Sequence, residues 1–452
     1  MALVDVLLVH ASFGVAFLVR FNGDPHSVNL YDYFNIVPWI SLASLIIFTT
    51  LDLYKRQWNG VVNTIRSLSV GLILLFFVTA GLAFLWRGFA FPRSVLILGF
   101  LVQIILMSIW RVVAWRFEKG LCGVYDVLVI APDEEANEIS KIINDHSHGW
   151  LHIITTLTLD QLETFPGALR NADLVLLGRG LTSAQRTEVM LASIDLGKGC
   201  FLLPEFDDLL VRSAELTQIN DLAIMALSDL RLTVGQEIMK RGLDILLSIA
   251  VLLLALPIMA VVSLAIRCTS PGRVFYIQER VGREGKAFNL LKFRSMVNNA
   301  ESLTGPVLAM DSDPRITRVG RFIRATRIDE LPQLINVLKG DMSFVGPRPE
   351  RPVFVEQFLH DIPGYKYRHL VKPGITGMAQ VAGNYDTTAE EKLRYDLWYI
   401  TNYAIFLDLK ILLQTIPVVL QREKSQGCSN SRLKKVLVRS EGEKAGVVKI
   451  CD

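Results

Sequence analysis

The chain has 452 residues, of which 51% are hydrophobic, and its mean hydropathy is +0.37. The length excludes a single ordinary core, and a soluble protein of this size is rarely so apolar, so membrane segments are expected. The formal net charge is only +3 and the basic residues are spread along the chain, which gives no reason to expect nucleic acid as a partner.

Four apolar stretches fill the first quarter of the chain, and each is close to the roughly 20 residues that cross a hydrocarbon core about 30 Å thick. They cover residues 3–21, 34–53, 67–86 and 95–115. Basic residues cluster after the second and the fourth stretch, so the positive-inside rule places both ends of this group in the cytoplasm. Residues 1–120 are therefore predicted to form a four-helix transmembrane bundle; buried helices of a soluble domain are the alternative.

Short β-branched runs alternate with amphipathic stretches in the next segment, which predicts a small βαβ domain with a parallel sheet over residues 121–235. A dinucleotide fold would carry GxGxxG after its first strand. This chain instead has Ala131-Pro-Asp-Glu-Glu135 there, and the acidic residues would repel a pyrophosphate. We therefore expect a structural or regulatory role for this domain rather than nucleotide binding.

A further apolar run, residues 245–266, contains Pro257 near its middle. Proline removes one backbone donor and crowds the preceding turn, so a kink or break is expected there. Basic residues flank both ends of the run, as is typical of a cytoplasmic side. The interpretation is a re-entrant membrane helix, residues 243–266, that breaks at Pro257 and returns to the same face. An ordinary fifth span is the alternative.

Polar residues cluster between this run and residue 420. Arginines precede and follow the acidic pair Asp329-Glu330, and Arg348 lies in Gly346-Pro-Arg-Pro-Glu-Arg351. Guanidinium groups offer rigid, bidentate donors that match phosphate, which indicates a diphosphate site. A basic face lying on lipid headgroups is the alternative.

The acidic pair precedes an apolar-periodic stretch, with Thr326 as the expected helix N-cap. A helix N-terminus would keep both carboxylates ionised and attract a phosphate. One carboxylate could then attack phosphorus while the other binds a divalent cation, for which Mg²⁺ is the usual choice beside a diphosphate. A simple helix cap is the alternative.

Seven motifs follow one another in this part of the chain: Val274-Phe-Tyr-Ile-Gln-Glu-Arg-Val-Gly282, Lys292-Phe-Arg-Ser-Met296, Asp313-Pro-Arg-Ile-Thr-Arg-Val-Gly-Arg321, Asp329-Glu-Leu-Pro-Gln333, Asn336-Val-Leu-Lys-Gly-Asp-Met-Ser343, Gly346-Pro-Arg-Pro349 and Lys372-Pro-Gly-Ile-Thr-Gly377. Together they strongly resemble the bacterial sugar transferases, the polyprenyl-phosphate hexose-1-phosphate transferases. The four predicted spans and a Rossmann-like middle domain resemble the large members of that family.

The resemblance implies an α-rich catalytic domain over residues 236–420. In it Asp329 would attack the sugar-bearing phosphorus of a UDP-sugar and release UMP, and undecaprenyl phosphate would then take the phospho-sugar. Glu330 would assist through Mg²⁺, so Asp329 and Glu330 are the candidate metal ligands. The basic residues expected to hold substrate phosphates are Arg348, Arg294, Lys292, Arg280, Arg321 and Arg324. Asp244, near the start of the re-entrant helix, is expected to pair with a neighbouring arginine.

The resemblance also implies glucose or galactose as the hexose and the first step of exopolysaccharide, capsule or O-antigen assembly. It places the protein in the bacterial inner membrane with a cytoplasmic active site, and suggests a homodimer and contacts with polysaccharide-assembly proteins. Residues 421–452 are predicted to be a flexible basic tail that rests on anionic lipid. Two alternatives remain: a catalytically silent scaffold, and a glycosyltransferase that would release UDP.

Overall fold

The computed structural model of the chain describes residues 1–23, 27–55, 60–85, 92–147, 149–211, 214–219, 221–227, 229–297, 313–383 and 387–419. The chain divides into two compact units, an N-terminal unit Met1–Glu205 and a C-terminal unit Phe206–Asp452. The division differs from the predicted boundary at residue 235, because segments before that residue pack with the C-terminal unit. Leu209, for example, is buried against Val355 and Leu397. The predicted tail lies outside the described residues.

Four long helices begin the N-terminal unit: α1 (Ala2–Arg20), α2 (Ser27–Thr50), α3 (Gly60–Leu85) and α4 (Arg93–Cys122). Helix α4 packs against α1 and α3, and α2 also packs against α3. A buried ion pair between Asp5 and Arg111 joins α1 to α4, and the indole of Trp110 donates to Asp5 over 3.0 Å. Pairing of this kind offsets the cost of placing charge in an apolar bundle.

The rest of the N-terminal unit alternates strands and helices: β1 (Tyr125–Ile130), α5 (Asp133–His146), β2 (Leu151–Leu157), α6 (Phe165–Asn171), β3 (Leu174–Leu177), α7 (Ser183–Asp195) and β4 (Gly199–Leu202). The four strands are parallel in the order β2-β1-β3-β4, which confirms the predicted parallel sheet. A Rossmann sheet would place β4 beside β1, so this order is instead that of a flavodoxin-like sheet.

The carboxyl edge of this sheet is filled by the chain itself. The Glu135 carboxylate accepts the backbone N–H of Arg179 over 2.8 Å. A Cβ at Gly178 would lie 2.7 Å from the same carboxylate, so the residue that follows β3 must stay small. A carboxylate therefore occupies the position at which a doubly wound sheet usually receives a ligand.

The C-terminal unit contains short strands among many helices: α8 (Phe206–Val211), β5 (Glu215–Ile219), β6 (Leu222–Ala226), α9 (Val234–Thr269), β7 (Phe275–Val281), β8 (Ala287–Phe293), α10 (Arg318–Ala325), α11 (Gln333–Lys339), β9 (Ser343–Val345), α12 (Pro352–Asp361), β10 (Gly374–Thr376), α13 (Met378–Ala382), α14 (Ala389–Thr401) and α15 (Ile405–Val419). Strands β5 and β6 pair antiparallel, as do β7 and β8, whereas β9 and β10 pair parallel.

Helix α9 runs as one α-helix through Pro257, so the backbone is not interrupted where the sequence predicted a kink or break. A proline within a helix removes only its own N–H bond, and the remaining ladder can carry the helix past it. With α9, the described residues hold five helices that are long and apolar enough to cross a membrane. One face of α9 carries exposed apolar residues such as Leu246, Leu254 and Val261.

The polar start of α9 is buried in its own unit. Lys240 donates to the carbonyl of Val345 over 2.9 Å and to Asp408 over 2.6 Å. Asp244 accepts from the Ser343 hydroxyl and the Phe344 amide, each over 2.9 Å. The predicted pairing of Asp244 with an arginine is therefore wrong, because backbone and hydroxyl donors of the β9 segment reach it instead.

The second half of α9 packs against a different part of the same unit. Val262 and Ile266 share a buried cluster with Phe293 of β8 and Ile323 of α10. The residues from Lys240 to Ile266 extend about 39 Å at 1.5 Å per residue. Both ends of this stretch of α9 therefore contact the C-terminal unit.

Candidate active site

The acidic pair lies in a short 3-10 turn, Ile328–Glu330, between α10 and α11. Arg327 begins the turn in the left-handed region, with φ of 54°. The hydroxyl of Thr326 donates back to the Phe322 carbonyl over 2.9 Å, so it closes α10. The prediction that Thr326 caps the following helix is therefore wrong: the left-handed residue turns the chain before α11 begins at Gln333.

Glu330 is held by two cations from distant parts of the chain. Its Oε1 lies 3.3 Å from Lys292 Nζ and 3.2 Å from Arg348 Nη2. Burial alone would raise the pKa of Glu330, but the charges of Arg348, Lys292 and Arg327 outweigh burial and hold that pKa well below its usual range. Glu330 is therefore an anion whose position is fixed.

Asp329 has a different environment from its neighbour. No hydrogen bond or ion pair engages its carboxylate within the described part of the chain. Burial and the charge of Glu330 raise the pKa of Asp329 to about 6, and the nearby cations Lys292, Arg324 and Arg348 oppose that rise. The turn thus presents one immobilised carboxylate beside one whose oxygens are not engaged.

Lys292 reaches the pair from β8, and an amide side chain holds that strand in place. Asn336 on α11 accepts the Leu291 N–H over 3.0 Å and donates to the Asn289 carbonyl over 2.8 Å. It therefore bonds β8 as a neighbouring strand would. Burial and the charge of Arg348 lower the pKa of the Lys292 ammonium, while Glu330 opposes that change.

Arg348 reaches the pair from the segment after β9. Three glycines allow close backbone approach there: a Cβ at Gly374 would lie 2.2 Å from the Gly346 nitrogen, and one at Gly377 would lie 2.2 Å from the Gly346 oxygen. The motifs Gly346-Pro-Arg-Pro349 and Lys372-Pro-Gly-Ile-Thr-Gly377 thus meet backbone to backbone. This contact fixes where the Arg348 side chain starts.

The other predicted phosphate ligands are placed differently. Arg280 donates to the Pro349 carbonyl over 3.0 Å and lies 3.6 Å from Glu350. Arg294 is buried and donates to the carbonyls of Ser270 and Pro271 at the end of α9, over 2.9 Å and 2.8 Å. Arg324 lies close enough to lower the pKa of Asp329, and Arg321 is exposed on α10.

Two further arginines lie near the site, and of these the sequence indicated only Arg327. The charge of Arg327 helps to keep Glu330 ionised. Arg368 donates to the Arg348 carbonyl over 3.0 Å. Arg327 is one of the arginines that precede the acidic pair in the sequence, whereas Arg368 lies outside all seven motifs and only the tertiary structure brings it to Arg348.

The acidic pair fits the requirements of Mg²⁺. The described residues contain no group of three or more His, Cys, Asp or Glu side chains that could enclose a metal. Mg²⁺ is commonly held by one or two carboxylates, with substrate phosphates and water completing its octahedron. Asp329 and Glu330 are two such carboxylates on one turn.

Comparisons with known proteins agree with this arrangement. Residues 235–422 match the family model described as bacterial sugar transferase. A UDP-glucose:undecaprenyl-phosphate glucose-1-phosphate transferase from Klebsiella pneumoniae is 30% identical in an alignment that covers 88% of this chain and 92% of the relative.

Two further relatives align only over part of their length. The UDP-N-acetylgalactosamine-undecaprenyl-phosphate N-acetylgalactosaminephosphotransferase from Aeromonas hydrophila is 48% identical over 40% of this chain and 43% of its own length. A UDP-glucose:undecaprenyl-phosphate glucose-1-phosphate transferase from Escherichia coli (strain K12) is 40% identical over 48% of this chain and 47% of its own. The chain thus spans slightly less than half the length of these two.

Proposed function

Because the chain belongs to the bacterial sugar transferase family, we propose that it moves a hexose 1-phosphate from a UDP-sugar to undecaprenyl phosphate and releases UMP. Glucose and galactose are the proposed hexoses, and the product would begin the assembly of an exopolysaccharide, capsule or O-antigen. The observation that carries the assignment of roles is the contrast within the acidic pair. Two cations hold Glu330, whereas no side chain or amide in the described part of the chain bonds the carboxylate of Asp329.

In the first step, a carboxylate oxygen of Asp329 attacks the phosphorus that bears the sugar. The bond from that phosphorus to the bridging oxygen breaks, and UMP leaves with the electron pair. An ionised carboxylate is a competent nucleophile toward an activated phosphoryl group, and the intermediate is an aspartyl phospho-sugar. In the second step, an oxygen of undecaprenyl phosphate attacks the same phosphorus and displaces Asp329.

The cations around the pair support this chemistry. Arg348 and Lys292 are fixed on Glu330 and lie close enough to lower the pKa of Asp329, so their charge is available to phosphate oxygens beside it. We assign Mg²⁺ to Asp329 and Glu330, where it would neutralise charge on the diphosphate. The placement of Arg294 at the end of α9 favours a structural role for that residue.

Both halves of α9 are built into the same catalytic unit. Its start is bound to Val345 and Asp408, and its second half is packed on Phe293 and Ile323 of the same unit. Basic residues flank both ends of the apolar run of α9, and for this reason we propose that both ends lie on the cytoplasmic side of the inner membrane, together with the active site. A homodimer and polysaccharide-assembly partners belong to the same proposal.

The test incubates purified protein with undecaprenyl phosphate, Mg²⁺ and a panel of UDP-sugars that includes UDP-glucose, UDP-galactose and UDP-N-acetylgalactosamine. UMP released with one donor, and lost in Asp329→Asn, is the expected result. Release of UDP would indicate a glycosyltransferase and leave Asp329 without its role. No nucleotide from folded protein would favour a scaffold.

A further inference from the structure

Arg348 lies in the segment that leads from the end of β9 to Pro349, and side chains and one amide hold four of the carbonyls of this segment. Lys240 donates to the oxygen of Val345 over 2.9 Å, and the Gly374 amide donates to that of Pro347 over 2.9 Å. Arg368 and Arg280 donate to the oxygens of Arg348 and Pro349, each over 3.0 Å. Three cationic side chains therefore add to the backbone contacts with β10 in positioning this segment.

Arg368 is the cation bonded to Arg348 itself. Its side chain is 4% exposed and lies 2.7 Å from Asp396, which is also buried. The hydroxyl of Tyr365 takes a further hydrogen bond from the same guanidinium. Three fixed partners leave Arg368 one orientation, because the guanidinium fork is planar and rigid.

The Arg348 guanidinium reaches Glu330 over 3.2 Å, near the limit of a useful charge-assisted hydrogen bond. A small displacement of the Arg348 backbone would therefore break that contact. Arg368 is thus connected to Glu330 through one carbonyl and one side chain.

From these contacts we infer that Arg368 is a positioning residue for the transfer reaction: it holds the Arg348 guanidinium on Glu330 without touching the substrate itself. This inference deepens the proposed function and rests on it for its kinetic test. Asp396 and Tyr365 act in the same role by orienting Arg368.

The kinetic test uses Arg368→Lys, which keeps the buried charge beside Asp396 but cannot bridge three partners in one plane. We expect kcat for UMP release to fall by about tenfold to a hundredfold, as when a catalytic group is displaced by about 1 Å. Arg348→Lys is measured beside it. Because Arg368 acts through Arg348, the Michaelis constant for the UDP-sugar should rise or fall in both variants alike. The matched control is Arg394→Lys on α14, where Arg394 pairs with Glu390 and Glu391 of its own helix; it should retain kcat within about twofold.

A double variant separates positioning from general loss of structure. If Arg368 acts through Arg348, adding Arg368→Lys to Arg348→Ala costs no more than about a further twofold. If the losses of kcat in the two single variants multiply in the double variant, the inference is overturned. It is also overturned if Arg368→Lys loses activity only because a smaller fraction of the protein is folded.

The structure of Arg368→Lys in a lipid nanodisc gives a readout independent of activity. We expect Arg348 Nη2 and Glu330 Oε1 to lie beyond hydrogen-bond distance. If the contact of 3.2 Å persists, the positioning role fails. If the wild-type protein releases no UMP, the proposed function fails, and this comparison still decides whether Arg368 sets the position of Arg348.

Discussion

At the scale of residues, two adjacent carboxylates differ through their partners. Glu330 is fixed by Lys292 and Arg348, and its pKa is held low. Asp329 is not engaged within the described residues, and its pKa is raised to about 6. Two acids of one turn can therefore have separate roles, one as the anchor for cations and the other as the attacking group.

The raised pKa of Asp329 predicts an acidic limb in the activity. The nucleophile must be ionised, and a carboxyl whose pKa is about 6 becomes protonated as the pH falls below that value. Because kcat/KM reports the enzyme before the UDP-sugar and its Mg²⁺ have bound, we expect it to be constant above about pH 7 and to fall roughly tenfold per pH unit well below pH 6. Measuring initial UMP release from pH 4.5 to 8 checks this. A rate independent of pH in that range contradicts an attacking Asp329 with a raised pKa.

Replacing Glu330 should move this limb. In Glu330→Gln, the negative charge that raises the pKa of Asp329 is lost and the cations beside it remain, so the pKa of Asp329 falls. The limb should shift to lower pH while the plateau rate drops by about a hundredfold or more, because Lys292 and Arg348 lose their anchor. The pH profile of the variant is the measurement. A limb that stays near pH 6 would show that Glu330 does not set the charge of Asp329.

The structure brings several of the predicted site residues together, through contacts that the sequence did not predict. Asp329, Glu330, Lys292 and Arg348 do lie together. Arg294 has the same chemistry as Arg348, but its donors go to backbone carbonyls at the end of α9. Residue type and spacing cannot separate an arginine that holds the backbone from one that holds a ligand, because tertiary packing decides which acceptors are near.

At the scale of elements, the strand pair β9 and β10 places the Arg348 segment through contacts between glycine backbones. Helix α9 shows how far sequence patterns reach. The sequence predicted that this segment is long and apolar. It did not predict that the helix continues through Pro257, because this depends on whether the remaining backbone hydrogen bonds are sufficient. The prediction that Thr326 caps the following helix was wrong because Arg327 adopts a left-handed conformation, which no sequence pattern indicates.

Gly374→Ala tests the contact between β9 and β10. The added Cβ would lie 2.2 Å from the Gly346 nitrogen, so the two strands must move apart. We expect a loss of about 1–3 kcal/mol in the free energy of unfolding, together with lower activity. The matched control is Gly242→Ala, within α9, where the Cβ meets no atom within 4 Å. Apparent Tm in detergent compares the two; equal values would contradict the close contact.

At the scale of the whole molecule, the sequence predicted a helical membrane part, a parallel sheet and a catalytic part. It did not predict that the strands follow the order β2-β1-β3-β4, nor that the packed units divide at Glu205. Periodicity identifies strands and helices one at a time. Strand order and unit boundaries follow from which faces pack together, and a single sequence does not record this.

The side of the membrane reached by each end of α9 is testable. Cys268 is exposed near its carboxyl end, and Val234 is exposed at its start. The test uses protein in which the other cysteines are replaced by serine. In sealed spheroplasts an impermeant maleimide should label neither Cys268 nor the cysteine of Val234→Cys. After permeabilisation it should label both. Asn22→Cys, in the predicted periplasmic turn after α1, should react without permeabilisation. Labelling of only one end of α9 in sealed spheroplasts would establish a spanning helix.

The outward face of α9 also has a consequence for biochemical handling. Its exposed leucines and valines belong to the same helix whose opposite side is built into the catalytic unit. High salt and alkaline carbonate release proteins that are bound to the membrane by charge, but they do not release a protein whose apolar surface lies in the lipid. Proteolysis between the two units would therefore leave the catalytic half in the lipid pellet, and only detergent would bring it into solution.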